Sequence, residues 1–127
     1  MNPVNNKRPV NLDLGTISMP ITAITSITHR ISGVALFVGV GILMWLLDAS
    51  LASEEGFNSV KTIFDSFICK LVVWGVLIAL IYHTAAGVRH LIMDFGIGET
   101  MAGGTRSARI VWIVTIILAV LVGAAIW

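Results

Sequence analysis

The sequence predicts an all-α integral membrane protein, with three transmembrane helices in an up-down-up bundle and the amino terminus cytoplasmic. Three observations predict it. Charged residues make up only 12% of the chain and hydrophobic residues 57%, where soluble domains carry about 25% charged residues. Three stretches, Ile31–Leu47, Leu71–Val88 and Ile110–Trp127, contain no Asp, Glu, Lys or Arg; with their flanking turns each covers a bilayer core of ~30 Å at ~1.5 Å per residue. Lys7, Arg8, Arg30, Arg89, Arg106 and Arg109 fall on one side of this topology, and Lys61 and Lys70 on the other. The positive-inside rule puts the richer side in the cytoplasm.

The 127 residues are expected to form a single domain. Residues 1–19 read as a polar cytoplasmic tail, with Pro3, Asn5, Asn6 and Pro9 resisting regular structure. This segment is too long and too polar for the start of a secretory signal, so the first span is expected to be retained. Helix one is placed at about 20–48. Pro20 suits a first helical turn, where its missing N–H costs nothing, and Asp48 marks the exit. Residues 49–65 read as a loop, with a short interfacial helix around Asn58–Phe64. Helix two is placed at about 67–95. Gly96, Gly98, Gly103 and Gly104, with Thr100, Thr105 and Ser107, suggest a turn-rich connection over residues 96–108. Helix three then occupies about 109–127. Trp45, Trp74 and Trp127 are expected near the outer interface and Trp112 near the inner one, as an aromatic belt would have it.

The net charge of +1 and the scattered Lys and Arg residues exclude an electrostatic case for nucleic acid. Cys69 is the single cysteine, so neither an internal disulfide nor an all-cysteine metal site can form. The spans lack the midplane acidic residue or broken helix on which transporter sites are built.

Candidate site residues concentrate on two helix faces. His83, Gly87, His90 and Asp94 fall within an arc of roughly 60° at 100° per residue. His83 lies six residues inside Arg89, ~9 Å of helical rise, and its short side chain cannot reach the headgroups. It must therefore be satisfied internally. Three readings stand: an imidazole hydrogen-bonded to a neighbouring helix, a metal or haem ligand, or a proton relay. Gly75, Ala79, Ala86 and Gly87 flank it within an arc of roughly 120°, which leaves room for a flat macrocycle or for close helix packing.

If His83 binds haem iron, His90 on the same helix cannot supply the opposite ligand. His29, beside Arg30, is expected about two turns shallower, a mismatch of ~9 Å that one iron does not tolerate. The second ligand is then expected from another chain, while His29, Arg30 and His90 are placed to meet haem propionates and Asp94 to accept from His90. On helix one, Ser26 and Arg30 share a face with Gly33, and a hydroxyl and a guanidinium pointing into a gap left by glycine suit a carbonyl ligand. The other reading of Arg30 is a topology determinant that snorkels to the inner headgroups.

These residues carry a family resemblance. Arg8-Pro9-Val10, Ser26-Ile27-Thr28-His29-Arg30-Ile31-Ser32-Gly33, and His83-Thr84-Ala85-Ala86-Gly87-Val88-Arg89-His90-Leu91-Ile92-Met93-Asp94 resemble the signature stretches of the cytochrome b subunit of succinate dehydrogenase. The resemblance spans nearly the whole chain. It implies a large membrane anchor of respiratory complex II in a bacterial inner membrane. The implied partners are a second small anchor subunit, which supplies the other haem ligand, and iron–sulfur and flavoprotein subunits on the cytoplasmic side. It implies haem b with His83 as the axial ligand, and ubiquinone as substrate with Ser26 and Arg30 in contact with it. A quinone takes up two electrons and two protons, so its site needs hydrogen-bond donors for the carbonyl oxygens and positive charge for the reduced forms. A fumarate reductase anchor, or a purely structural anchor without cofactor, are the alternative functions.

Overall fold

The computed structural model describes residues 12–127. Lys7, Arg8 and the Arg8-Pro9-Val10 stretch lie outside the described residues. A 3-10 turn at Leu14–Thr16 leads into four α-helices: α1 (Ile21–Ala52), α2 (Glu54–Phe64), α3 (Phe67–Asp94) and α4 (Met101–Ile126). Of these, α1, α3 and α4 are long and apolar enough to cross a membrane. They run up, down and up, with the start of α1, the end of α3 and the start of α4 at the same end of the bundle, where Gly104 faces Thr22.

The helix boundaries depart from the sequence expectation in three places, each for a local reason. Asp48 does not end α1, which continues to Ala52; a helix of 32 residues rises ~48 Å and outreaches the ~30 Å core, so its last turns carry charge at no cost. The interfacial helix is longer than Asn58–Phe64 because Ser53 caps it, its hydroxyl accepting from Gly56 N at 2.9 Å, with Glu54 and Glu55 in the first turn and Lys61 in the last. That arrangement complements the helix dipole. Gly56 lets α2 fold back tightly, since a Cβ there would run into the carbonyl oxygen of Ala49.

The third departure concerns the glycines after α3. Helix α4 begins at Met101, not near 109, capped by Thr100, whose hydroxyl accepts from Gly103 N at 3.1 Å. Only Gly96 (φ +81°) and Gly98 (φ +71°) serve the turn itself, adopting a backbone that residues with a Cβ rarely take. Gly103 and Gly104 belong to the helix, and of the two only Gly103 is too closely approached to carry a side chain. A Cβ at Gly103 would stand 2.8 Å from Gly98 O, and one at Gly104 would meet Thr22 Cγ2 at 3.5 Å.

Helix α3 is the spine, packing more extensively against α1 and α4 than those two do against each other. Tyr82, Ala86 and Val111 form its buried core cluster, with Ala85 and Trp112 packed against them. Close approach of α1 and α3 depends on Gly39, where a Cβ would stand 2.8 Å from a Val76 methyl. At the far end, Trp74 Nε1 donates to Ala119 O at 2.9 Å and lies over Gly123. Trp112 does not join an inner aromatic belt but turns into the bundle, donating to Thr25 Oγ1 at 3.0 Å. Large apolar side chains cover the outside, Phe37 being 87% exposed, as a surface facing acyl chains or another apolar chain requires.

Candidate functional site

The imidazole of His83 projects from α3 onto α1, and its contacts define which nitrogen is available. Nδ1 lies 2.9 Å from Ser32 Oγ and 3.2 Å from the carbonyl oxygen of His29. The carbonyl can only accept. Ser32 spends its single hydroxyl proton on that same carbonyl, at 2.7 Å, so it too offers Nδ1 only a lone pair. Both neighbours therefore require a proton on Nδ1, and the neutral ring keeps its lone pair on Nε2. The ring edge sits against Gly33, where a Cβ would stand 3.2 Å from Cε1. Helix α1 needs glycine there to admit the imidazole.

His29 stacks face to face on His83, ring centroids 4.2 Å apart and planes 13° from parallel. This corrects the expected depth mismatch of ~9 Å. Arg30 and Arg89 do not mark equal depth, because the packing of α1 on α3 brings His29 level with His83 and Gly87. His29 Nε2 is buried without a hydrogen-bond partner, over Gly87, where a Cβ would meet it at 3.6 Å. His90 lies beside His29, centroids 5.1 Å apart and planes tilted by 50°. Three imidazoles thus line the α1–α3 seam. Even so, among the described residues no three His, Cys, Asp or Glu side chains are grouped to hold a metal ion by themselves.

The gap expected beside Gly33 for a carbonyl ligand of Ser26 and Arg30 is taken by the His83 ring. Ser26 is half-buried and Arg30 exposed on α1, one helical turn apart and on the flank that carries His29 and Gly33. They present a hydroxyl and a fixed positive charge at the edge of the histidine cluster. Asp94, expected to accept from His90, is exposed at the end of α3.

Three polar groups that sequence reasoning missed hold this arrangement. Ser32, 7% exposed, follows His29 by three residues, a spacing that puts both on one face and was the available signal. Thr25 joins all three spans: Tyr82 Oη donates to its carbonyl at 2.7 Å, and its hydroxyl accepts from Trp112 Nε1 while donating to Ile21 O at 2.8 Å. Arg89, expected only as a topology charge, is in fact buried, 6% exposed, with Nε donating to Ser107 Oγ at 3.0 Å and Nη2 to Gly104 O at 3.4 Å. Polar side chains on helices that read as membrane spans gave the hint, but their partners lie 15 or more residues away in sequence. A cleft of about 460 Å³ between α3 and α4 runs past Arg89, walled by Ile92, Met93, Ile110 and Val114.

Three long apolar helices, with a cluster of imidazoles clasped between two of them, define a multi-pass membrane protein. The particular family follows from comparison with known proteins: residues 4–123 match the family described as the succinate dehydrogenase/fumarate reductase transmembrane subunit, and the chain belongs to it. It is 43% identical to the succinate dehydrogenase cytochrome b556 subunit of Coxiella burnetii over 98% of this chain and 100% of that one. The cytochrome b556 subunit of Paracoccus denitrificans is 34% identical over 90% of this chain and 88% of its own length. The mitochondrial cytochrome b560 subunit of Sus scrofa is 31% identical over 92% of this chain and 70% of its own length.

Proposed function

We propose that this chain is the haem b- and quinone-binding membrane anchor of a succinate:quinone oxidoreductase, through which electrons from an iron–sulfur subunit reach ubiquinone. The observation that carries the reading is the pinning of His83 Nδ1 by Ser32 and the His29 carbonyl, which assigns the neutral ring's lone pair to Nε2. Metal-ligating histidines are held in this way, the other nitrogen donating to a carbonyl or hydroxyl. The surroundings fit a macrocycle. Gly75 has open space where a Cβ would stand, and the buried His29 Nε2, unpartnered among the described residues, calls for a polar group.

Haem, when bound, supplies a one-electron couple. His83 would hold the iron through Nε2. His29, Arg30 and His90 provide N–H groups and charge for the propionates. The stacked His29 presents its face to His83, and His90 belongs to the same helix, so the second small anchor subunit would supply the other ligand. Ser26 donates its hydroxyl to a quinone carbonyl oxygen, and the Arg30 guanidinium favours the reduced quinone. Arg30, Arg89, Arg106 and Arg109 lie toward the end where α1 and α4 begin, so that end faces the cytoplasm and the iron–sulfur and flavoprotein subunits. The assembly sits in a bacterial inner membrane. The family covers both directions of the reaction; the relatives named above carry the succinate dehydrogenase name, which favours succinate oxidation.

A reduced-minus-oxidised optical spectrum of the purified complex tests the reading. It shows a low-spin haem that His83→Ala abolishes or shifts; an unchanged spectrum removes His83 as ligand, and a complex colourless in the Soret region returns the chain to a structural anchor. Ser26→Ala and Arg30→Ala lower quinone reduction while succinate-dependent dye reduction persists. Equal loss of both activities points to misassembly instead of a quinone site.

A further inference from the structure

We infer that Ser32 is the positioning residue of the haem ligand, setting both the ring orientation and the electron-donating strength of His83; this rests on His83 being the axial ligand. Three contacts fix the imidazole in its plane and about its axis: the parallel face of His29 at 4.2 Å, the edge against Gly33, and the pair of acceptors at Nδ1. The first two are steric and allow the ring to turn over within its slot. The pair at Nδ1 does not, because a turned ring would present a carbon to both oxygens.

Of that pair, Ser32 Oγ is the nearer, at 2.9 Å against 3.2 Å for His29 O. Ser32 cannot switch from acceptor to donor there. Its proton is committed to His29 O at 2.7 Å, and the side chain is 7% exposed, away from competing water. The hydroxyl is therefore polarised by donation to the carbonyl while it accepts from Nδ1, and bonds linked in this way reinforce each other. A stronger acceptor on the distal N–H makes the opposite nitrogen more basic. A more basic ligand favours the more highly charged, oxidised iron. Ser32 thus holds the couple at a lower potential than an apolar residue at that position would.

Other buried polar side chains do not fill this role. Thr25, Tyr82 and Trp112 bond to one another, and Arg89 bonds to α4. Among the described residues, Ser32 alone links the ligand ring to the backbone of the facing span through a side chain.

The test is redox potentiometry of the intact complex, with haem retention on dilution and low-temperature EPR g-values, for Ser32→Ala, Ser32→Thr and His83→Ala. Ser32→Ala assembles with haem but with a raised midpoint potential, up to a tenfold change in the oxidised-to-reduced ratio, or about 59 mV for one electron. Its haem is held about 10- to 100-fold less tightly, the usual cost of losing an outer partner of a ligand, and its g-values shift as the ring, held at Nδ1 by the His29 carbonyl alone, settles in a new orientation. Ser32→Thr, which keeps the hydroxyl, restores all three. Should Ser32→Ala fail to assemble, Ser32→Cys keeps the volume with a weaker acceptor and must also raise the potential. Potential, retention and g-values equal to wild type in Ser32→Ala, or in Ser32→Cys where it is the variant read, overturn the role of Ser32 while loss of haem in His83→Ala leaves the ligand assignment standing. Haem persisting in His83→Ala overturns the ligand assignment itself.

Discussion

Gly33→Ala is the most telling single perturbation, because cofactor binding responds to it more sharply than stability does. In a helix interior the change is favourable by about 1 kcal/mol, since alanine has less backbone freedom to lose. The new methyl, however, would stand 3.2 Å from His83 Cε1 and 3.7 Å from Nδ1, where ordinary contacts are 3.4–4 Å. The imidazole must retreat by at least 3.4 minus 3.2, or 0.2 Å, and it is not free to do so. One face is stacked on His29, and Nδ1 is held by Ser32 and the His29 carbonyl. Overpacking of this kind costs about 1–3 kcal/mol, so the net effect on the bundle is between roughly zero and 2 kcal/mol of destabilisation. Gly41 on the same helix has nothing within 4 Å of where its Cβ would stand, and Gly41→Ala should stabilise by about 1 kcal/mol. Thermal denaturation of the purified complex, paired with haem per protein by pyridine haemochrome, separates the two. Gly33→Ala is expected to lose haem or shift its spectrum with little change in melting, and Gly41→Ala to melt higher with haem unchanged. If both alanines behave alike in haem content and spectrum, the packing of His83 on Gly33 does not govern the site.

Three further outcomes follow from the contacts. Arg89→Leu removes the buried guanidinium that ties α3 to the first turns of α4 and is expected to cost about 1.5–3 kcal/mol, the worth of hydrogen bonds to a charged group; faster hydrogen exchange over residues 95–107 checks it, and unchanged exchange refutes it. Thr25→Val leaves the indole of Trp112 without an acceptor while the Tyr82 bond to the Thr25 carbonyl persists. The expected loss is about 0.6 kcal/mol and at most about 1.7, with a shifted Trp112 indole N–H resonance as the signature. Gly98→Ala forces a Cβ onto a backbone at φ +71° and should destabilise the α3–α4 connection by about 1–2 kcal/mol, visible as a lower melting temperature.

The spans were legible in the sequence because hydrocarbon imposes a length and an absence of charge that can be read directly. His83 was legible for the same reason: an imidazole in an uncharged stretch of α3, ~9 Å of rise from Arg89 on the same helix, has to find a partner in protein. What could not be read was register. Whether His29 stood level with His83 depended on how far α1 slid along α3, and no residue on either helix marks that offset. Ser32 and Arg89 were passed over on similar grounds, since each takes its meaning from a partner on a different helix. The glycines at 103 and 104 show the reverse error. Their composition spoke for a turn, yet both lie inside α4, and only Gly103 is held to glycine, by the nearby Gly98 carbonyl oxygen.

Among the described residues, the side-chain hydrogen bonds between spans gather at the end where α1 and α4 begin, apart from that of Trp74 to Ala119. Such a molecule is laced at one mouth and merely zipped by small residues along the rest. The Thr25 knot in particular cannot be tied until α4 has entered the membrane, because Trp112 supplies one of its strands. Insertion of α4 therefore does more than add a third span: it supplies the bond that ties α4 to α1 at the end where the histidines stand.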